Sequence, residues 1–198
     1  MLLSIMRWLA FFVSASLIVI YFRGGTLIVK DTRRAVHAQG ARQYLYFVLV
    51  MGAGGLCILA TQFSICLGYL ERYLLIRSGA VGTAGAVLLI AGIGSAYGIR
   101  FAYLRGNWSG NVEIKEHHRV VTEGPYRCVR HPIYALTLLI YPGAALAFPV
   151  WWNVLACGVM IAGYVWLTAY EDRFLQHRLP GYRAYAQRTK HKLIPGVW

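Results

Sequence analysis

The sequence predicts an all-α integral membrane protein of about five transmembrane helices with a cytoplasmic cap. Three observations predict it. Only 14% of the 198 residues are charged while 58% are hydrophobic, whereas an ordinary soluble domain carries about 25% charged residues. That composition excludes a disordered chain and argues against a water-soluble globule. The apolar residues also collect in runs close to the ~20 residues that a helix needs to cross a ~30 Å bilayer core. Finally, the basic residues fall almost entirely on one side of those runs.

The first run, Trp8 to Phe22, lies between Arg7 and Arg23. A lone early Arg and the small residues at Ser14–Ser16 are features of a secretory signal. Arg23 follows at once, however, and no polar mature domain comes after it, so a retained span over 8–22 is expected. The second span, 44–70, carries no charge until Glu71 and Arg72 interrupt it. The third covers 80–99. The fourth and fifth, 133–148 and 150–170, meet at a junction marked only by Pro149 and the Trp151-Trp152-Asn153 triplet. Proline disfavours helix at the residue before it, and Trp prefers the membrane interface, so this junction reads as a tight turn between antiparallel spans.

With five spans, the segments 23–43, 100–131 and 171–198 share one side. Of the 20 Lys and Arg residues, all but Arg7, Arg72 and Arg77 then lie there. The positive-inside rule makes that side cytoplasmic. The net charge of +13 calls for an anionic partner, and the apolar runs make that partner membrane lipid rather than nucleic acid. Cys57, Cys66, Cys128 and Cys157 form no C-x-x-C pair, which gives no support to thiolate metal ligation. Gly52, Gly54, Gly55, Gly92, Gly94 and Gly98 sit inside apolar runs. There is no strand before them to make a phosphate loop, so close helix packing is the expected use. No repeat or second domain is visible, and residues 1–198 read as a single domain.

The chemistry-bearing residues concentrate in two blocks, 107–134 and 171–195. The hairpin of spans four and five brings both to the cytoplasmic edge. A site built there would draw on His117, His118, Arg130, His131, Glu171 and Asp172. Each has a plainer reading: an exposed His117-His118 pair, an interfacial Arg130-His131 anchor, and surface ion pairs of Glu171-Asp172 with Arg173 or Arg178. The His and acid spacing matches no metal motif, so no metal is expected. No Ser or Cys stands as a nucleophile, and no catalytic residue is assigned.

At these blocks the sequence becomes recognisable. Asn107-Trp108-Ser109, Glu113-Ile114-Lys115, His118-Arg119-Val120-Val121-Thr122-Glu123-Gly124-Pro125-Tyr126 and Arg130-His131-Pro132-Ile133-Tyr134 closely resemble the signature of the isoprenylcysteine carboxyl methyltransferase family. So do Glu171-Asp172, Leu175, Gly181-Tyr182, Tyr185 and Leu193-Ile194-Pro195. The resemblance covers about half of the chain; spans one and two carry no matching motif. It implies a multi-helix membrane enzyme, related to phospholipid methyltransferases, that uses S-adenosylmethionine without a Rossmann domain. By motif position, His118, Arg119, Val120 and Val121 would line the cofactor's adenosine part. Tyr126, Arg130, His131, Pro132, Ile133 and Tyr134 would hold its amino-acid end, and Glu171 would contact a hydroxyl or the ammonium. The chemistry agrees: a cationic cofactor with ribose hydroxyls needs an acceptor such as Glu171, and a carboxylate needs donors such as Arg130 and His131.

The implied acceptor is lipophilic, with the carboxylate of a prenylcysteine-like molecule first and a phospholipid amine as the alternative. One departure bears on that order. Members that methylate prenylcysteine carry an Arg about a turn before the acid pair, whereas Val165-Trp166-Leu167-Thr168-Ala169-Tyr170 contains none. Aligning Tyr182 and Tyr185 also puts Glu171 at the second acid's position. Arg173 is the nearby cation that would stand in. Two other readings stay open at this level: a lipid-active NADPH reductase of the sterol-reductase type, and a non-catalytic protein whose basic face holds anionic lipid.

Overall fold

The computed structural model describes residues 1–31, 35–38, 41–104, 113–115 and 118–198, with side chains described for 1–16, 49–104, 114 and 118–198. Five long helices dominate: α1 (Leu2–Asp31), α2 (Ala41–Cys66), α3 (Gly79–Ile99), α4 (Pro132–Ala147) and α5 (Trp151–Arg178). A short α6 (Tyr182–Arg188) follows α5. Strands β1 (Ala35–Ala38) and β2 (Glu113–Lys115) form an antiparallel ribbon, an addition to the all-helical expectation. Among the described residues, segments of α2 (Leu49–Cys66), α3 continued to Leu104, and α5 are long and apolar enough to cross a membrane. The Leu2–Ser16 part of α1 and all of α4 are apolar but shorter.

The helix limits follow from local chemistry. α2 stops at Cys66, short of the expected 70, because Gly68 adopts φ 83°. The Gly68 amide then donates to Ile65 O at 2.9 Å and the Tyr69 amide to Ser64 O at 3.0 Å, a Schellman ending. α3 is capped by the Ser78 hydroxyl, which accepts from the Val81 amide. The turn at 148–150 is as tight as Pro149 suggests. α5 differs most from expectation: it runs two turns past residue 170, so Glu171, Asp172 and Gln176 are helical rather than part of a loose tail.

α1 packs on α2, α2 on α5, α5 on α4, α4 on α3 and α3 on α1, closing a ring. The core between them includes Ile58, Ile65, Leu89, Ile93, Tyr141, Phe148 and Met160. Large apolar side chains such as Phe12, Leu49, Val87, Leu155 and Trp166 point outward, as they do on a lipid-facing surface. Arg7, expected only to flank a span, has a buried role at one end. Its Nε donates to Ala147 O across 2.9 Å, and Asn153 Nδ2 donates to Ala144 O and Phe148 O. Arg7 thereby satisfies a carbonyl that the C-terminus of α4 leaves open and adds a cation where the helix dipole favours one, while Asn153 adds a second donor to two carbonyls that already accept main-chain amides.

α3 and α4 approach backbone to backbone. A Cβ added at Gly143 would lie 2.6 Å from Leu89 N, and one at Gly85 would lie 2.5 Å from Ala147 N. Of the glycines expected to serve packing, Gly54 and Gly92 do so, against Met160 and Ile140, whereas Gly52, Gly94 and Gly98 meet nothing within 4 Å. Gly143→Ala should therefore cost about 1–3 kcal/mol, the range for overpacking, while Gly94→Ala should melt with the parent. Thermal unfolding in detergent checks this. Equal melting of the Gly143→Ala variant and the parent would contradict the α3–α4 register.

Candidate functional site

The two motif blocks meet at the end of the bundle opposite Arg7. The β1–β2 ribbon brings the segment after α1 to the same end. Ile114 of β2 is buried with Leu179, Tyr182 and Tyr185, and Val120, Phe174 and Leu175 pack against them. The segments around β1, before α4 and after α5 thus meet at one end of the bundle.

α4 opens at Pro132, whose missing N–H costs nothing in a first turn. The two residues before it are pinned by main-chain bonds to the C-terminal segment: the Arg130 amide donates to His191 O and the His131 amide to Lys192 O, each at 2.9 Å. The Arg130 side chain then grips Asp172 as a fork. Nε donates to Oδ1 at 2.7 Å and Nη2 to Oδ2 at 3.0 Å. Nη1 donates to Thr189 O and Lys190 O at 2.7 and 2.8 Å. Arg130 is 7% exposed and Asp172 only 1%, so this pair is interior. Asp172 also accepts from the Tyr182 hydroxyl at 3.0 Å and from Gln176 Nε2 at 2.8 Å. His131 Nε2 lies 3.3 Å from Oδ1.

The electrostatics follow from this geometry. Burial pulls the Arg130 pKa down, but the Asp172 hydrogen bonds and charge outweigh it, and the net shift is upward. Burial, followed by the Asp172 charge, pushes the Tyr182 phenol far above its ordinary value, so it stays a donor. Tyr185, pushed up to about 12 by burial, donates to Tyr126 O at 2.7 Å. This bond ties the turn at Gly124–Arg127 to α6.

Glu171 is the next residue but points about 100° away around the helix. It is half-buried and accepts from the Tyr134 hydroxyl. The Tyr134 ring stacks on His131, with centroids 5.7 Å apart and planes 9° apart. The Tyr134 ring also lies 5.8 Å from Tyr164. Arg130, His131, Tyr134, Glu171 and Asp172 are therefore brought into one connected group.

The other expected residues stand around this group. Tyr126 and Pro132 are buried and Ile133 is half-buried. His118, Val120 and Val121 are half-buried and Arg119 is exposed, along a segment without regular structure. Through Val120 this segment leans on the Tyr182 cluster. Arg173 is exposed. His117 and Asn107–Ser109 lie outside the described residues. Two roles differ from the simplest expectation. Asp172 pairs with buried Arg130, not with Arg173 or Arg178 on the surface. The Arg130 donors turn toward protein acceptors rather than into the space beside Glu171. Sequence reasoning passed over Gln176 and Tyr164. Tyr182 served there only to set an alignment register, although it bonds Asp172 directly.

No curated protein matches the chain. The sequence model of the family described as phospholipid methyltransferase matches residues 81–180, from α3 through the end of α5. That match spans half of the chain and contains the Arg130–Asp172 fork and the Tyr134–Glu171 pair. The chain is an integral membrane protein that belongs to the phospholipid methyltransferase family.

Proposed function

We propose that the protein transfers a methyl group from S-adenosylmethionine to the amine head group of a phospholipid, at the basic and therefore cytoplasmic end of the bundle. The observation that carries this reading is the charge balance of the site. Glu171 presents a half-exposed carboxylate beside stacked aromatic faces, while the Arg130 fork is engaged with Asp172, Thr189 and Lys190. A site of that kind favours cationic ligands.

The same residues fit the cofactor. Glu171 is an acceptor suited to an ammonium or a ribose hydroxyl, and His131 and Tyr134 offer parallel ring faces. Tyr126 and the His118–Val121 segment supply the remaining wall in this reading. When bound, S-adenosylmethionine supplies an electrophilic methyl group on sulfonium. An ammonium head group must lose a proton before its nitrogen can accept that methyl, and in this reading the Glu171 carboxylate would take it. The Tyr134 hydroxyl holds Glu171 in place through its hydrogen bond. A lipid acceptor would enter sideways from the inner leaflet.

A carboxylate acceptor of prenylcysteine type is the second reading, favoured by the order and spacing of the two motif blocks. Calorimetric titration of the purified protein with S-adenosylhomocysteine should show binding in detergent and in lipid. Absence of binding in both would remove the cofactor claim, and binding of NADPH instead would favour a reductase. Radiolabelled cofactor offered with phosphatidylethanolamine, a prenylcysteine analogue and a free fatty acid should label the amine lipid. Label in the prenylcysteine analogue alone would replace the amine reading with the second one.

A further inference from the structure

We propose that the turn at 193–198 is a further membrane contact, an apolar tip that docks in the lipid head-group region beside the start of α4. The backbone leads there. The Arg130 and His131 amides donate to His191 O and Lys192 O in turn, each at 2.9 Å. The two strands of chain therefore run in the same direction, and the step after His131 is Pro132, where α4 begins. α4 lies between α3 and α5, which are both long enough to cross a membrane. Its own 16 residues make only about 24 Å of helix, short of the ~30 Å hydrocarbon core. The first turn of α4 is thus at the edge of the bilayer. Ile194 follows Lys192 by two residues, so it stays within about 7 Å of chain from that edge.

The tip has the chemistry of that level. Leu193 is buried and roots the turn. The Leu193 and Ile194 amides donate to Trp198 O at 3.0 and 3.1 Å, and the Val197 and Trp198 amides donate back to Ile194 O, both at 3.1 Å. Gly196 makes the reversal at φ 80°, a conformation that other residues disfavour. The closed turn turns Ile194 and Val197 outward, 50% and 76% exposed, with Pro195 exposed between them. At the bilayer edge these side chains leave water, and a turn already closed has little backbone entropy to lose. A basic rim surrounds them. Arg188 and Lys190 are exposed, and the Lys192 ammonium sits 4.4 Å over the Trp198 ring. Indoles settle at the lipid interface, and cations beside an apolar tip meet lipid phosphate there.

The test places a nitroxide, carried on p-acetylphenylalanine, at position 194 or 197 of the full chain in phosphatidylcholine vesicles. Ala184 and Gln187, exposed on α6, are the control positions. Collisions of the label with oxygen, which enters the bilayer, are compared with collisions with a water-soluble nickel chelate. The oxygen-to-nickel ratio should be several-fold higher at 194 and 197 than at 184 and 187. With the label at 194, Val197→Ser should lower the docked-to-undocked equilibrium about 10-fold, as loss of one buried aliphatic side chain implies. The ratio should then fall toward that of the controls, with the melting temperature unchanged. Adding phosphatidylglycerol should restore part of it, because the basic rim is drawn to an anionic surface. Ratios at 194 and 197 equal to the controls would overturn the proposal. So would low accessibility to both reagents, which would mean that protein, a second copy included, covers the tip. No restoration by phosphatidylglycerol would overturn the part given to the basic rim. If Val197→Ser fails to fold, the labelled but otherwise unaltered chain decides by the same ratios.

Discussion

Replacing Asp172 by Asn is expected to destabilise the protein by about 3–5 kcal/mol, the usual consequence of breaking a buried ion pair from one side. The substitution keeps size and shape but removes the charge that compensates Arg130. It also turns an NH2 group toward donors that previously found a carboxylate: two from Arg130, one from Gln176 and the Tyr182 hydroxyl. Arg130 cannot escape to solvent, because Thr189 O and Lys190 O hold its other nitrogen. The measurement is the melting temperature in detergent, read beside S-adenosylhomocysteine affinity. Arg130→Met should be comparably harmful, since it leaves Asp172 buried without its partner. The double variant Arg130→Met/Asp172→Leu should regain part of the loss. It should not regain all of it, because Tyr182 and the two carbonyls would still lack partners. A melting temperature unchanged in Asp172→Asn would mean that this fork does not hold the two motif blocks together.

Much of this architecture was legible in the sequence because a bilayer imposes length and charge rules on each segment separately. The 80–99 run became α3 almost residue for residue, and Pro149 marked the α4–α5 turn. What escaped was information that only tertiary contacts carry. Nothing local distinguishes Arg7 from an ordinary flanking cation, since its acceptor is 140 residues away. Gly85 and Gly143 look no different from Gly94 or Gly98 in an apolar run, yet only the first pair meets facing backbone. At the site, the acid pair was visible, but which acid faces inward was not. One residue of difference on a helix is a rotation of about 100°, and here it separates an interior ion pair from a half-exposed carboxylate. The continuation of α5 past residue 170 also escaped, because Glu171-Asp172-Arg173 reads as the end of an apolar span rather than as two more turns of helix.

Glu171→Gln is expected to weaken S-adenosylhomocysteine binding roughly 10- to 150-fold, the effect of losing a hydrogen bond to a charged group worth about 1.5–3 kcal/mol. Its melting temperature should stay near that of the parent. The glutamine carbonyl can still accept from Tyr134, and a half-exposed side chain leaves no buried charge behind. This combination distinguishes Glu171 from its neighbour: Asp172→Asn should lose stability first, and affinity only as a consequence. Tyr134→Phe should fall between parent and Glu171→Gln, about 2- to 12-fold weaker in affinity, because it frees the carboxylate without removing it. Combining the two substitutions tests whether they act together. If Tyr134 works by orienting Glu171, the double variant should be scarcely weaker than Glu171→Gln alone; additive losses would give Tyr134 a contact of its own. Affinity unchanged in Glu171→Gln, with a large loss in an Asp172→Asn variant that still folds, would show that the ligand approaches the other face of α5.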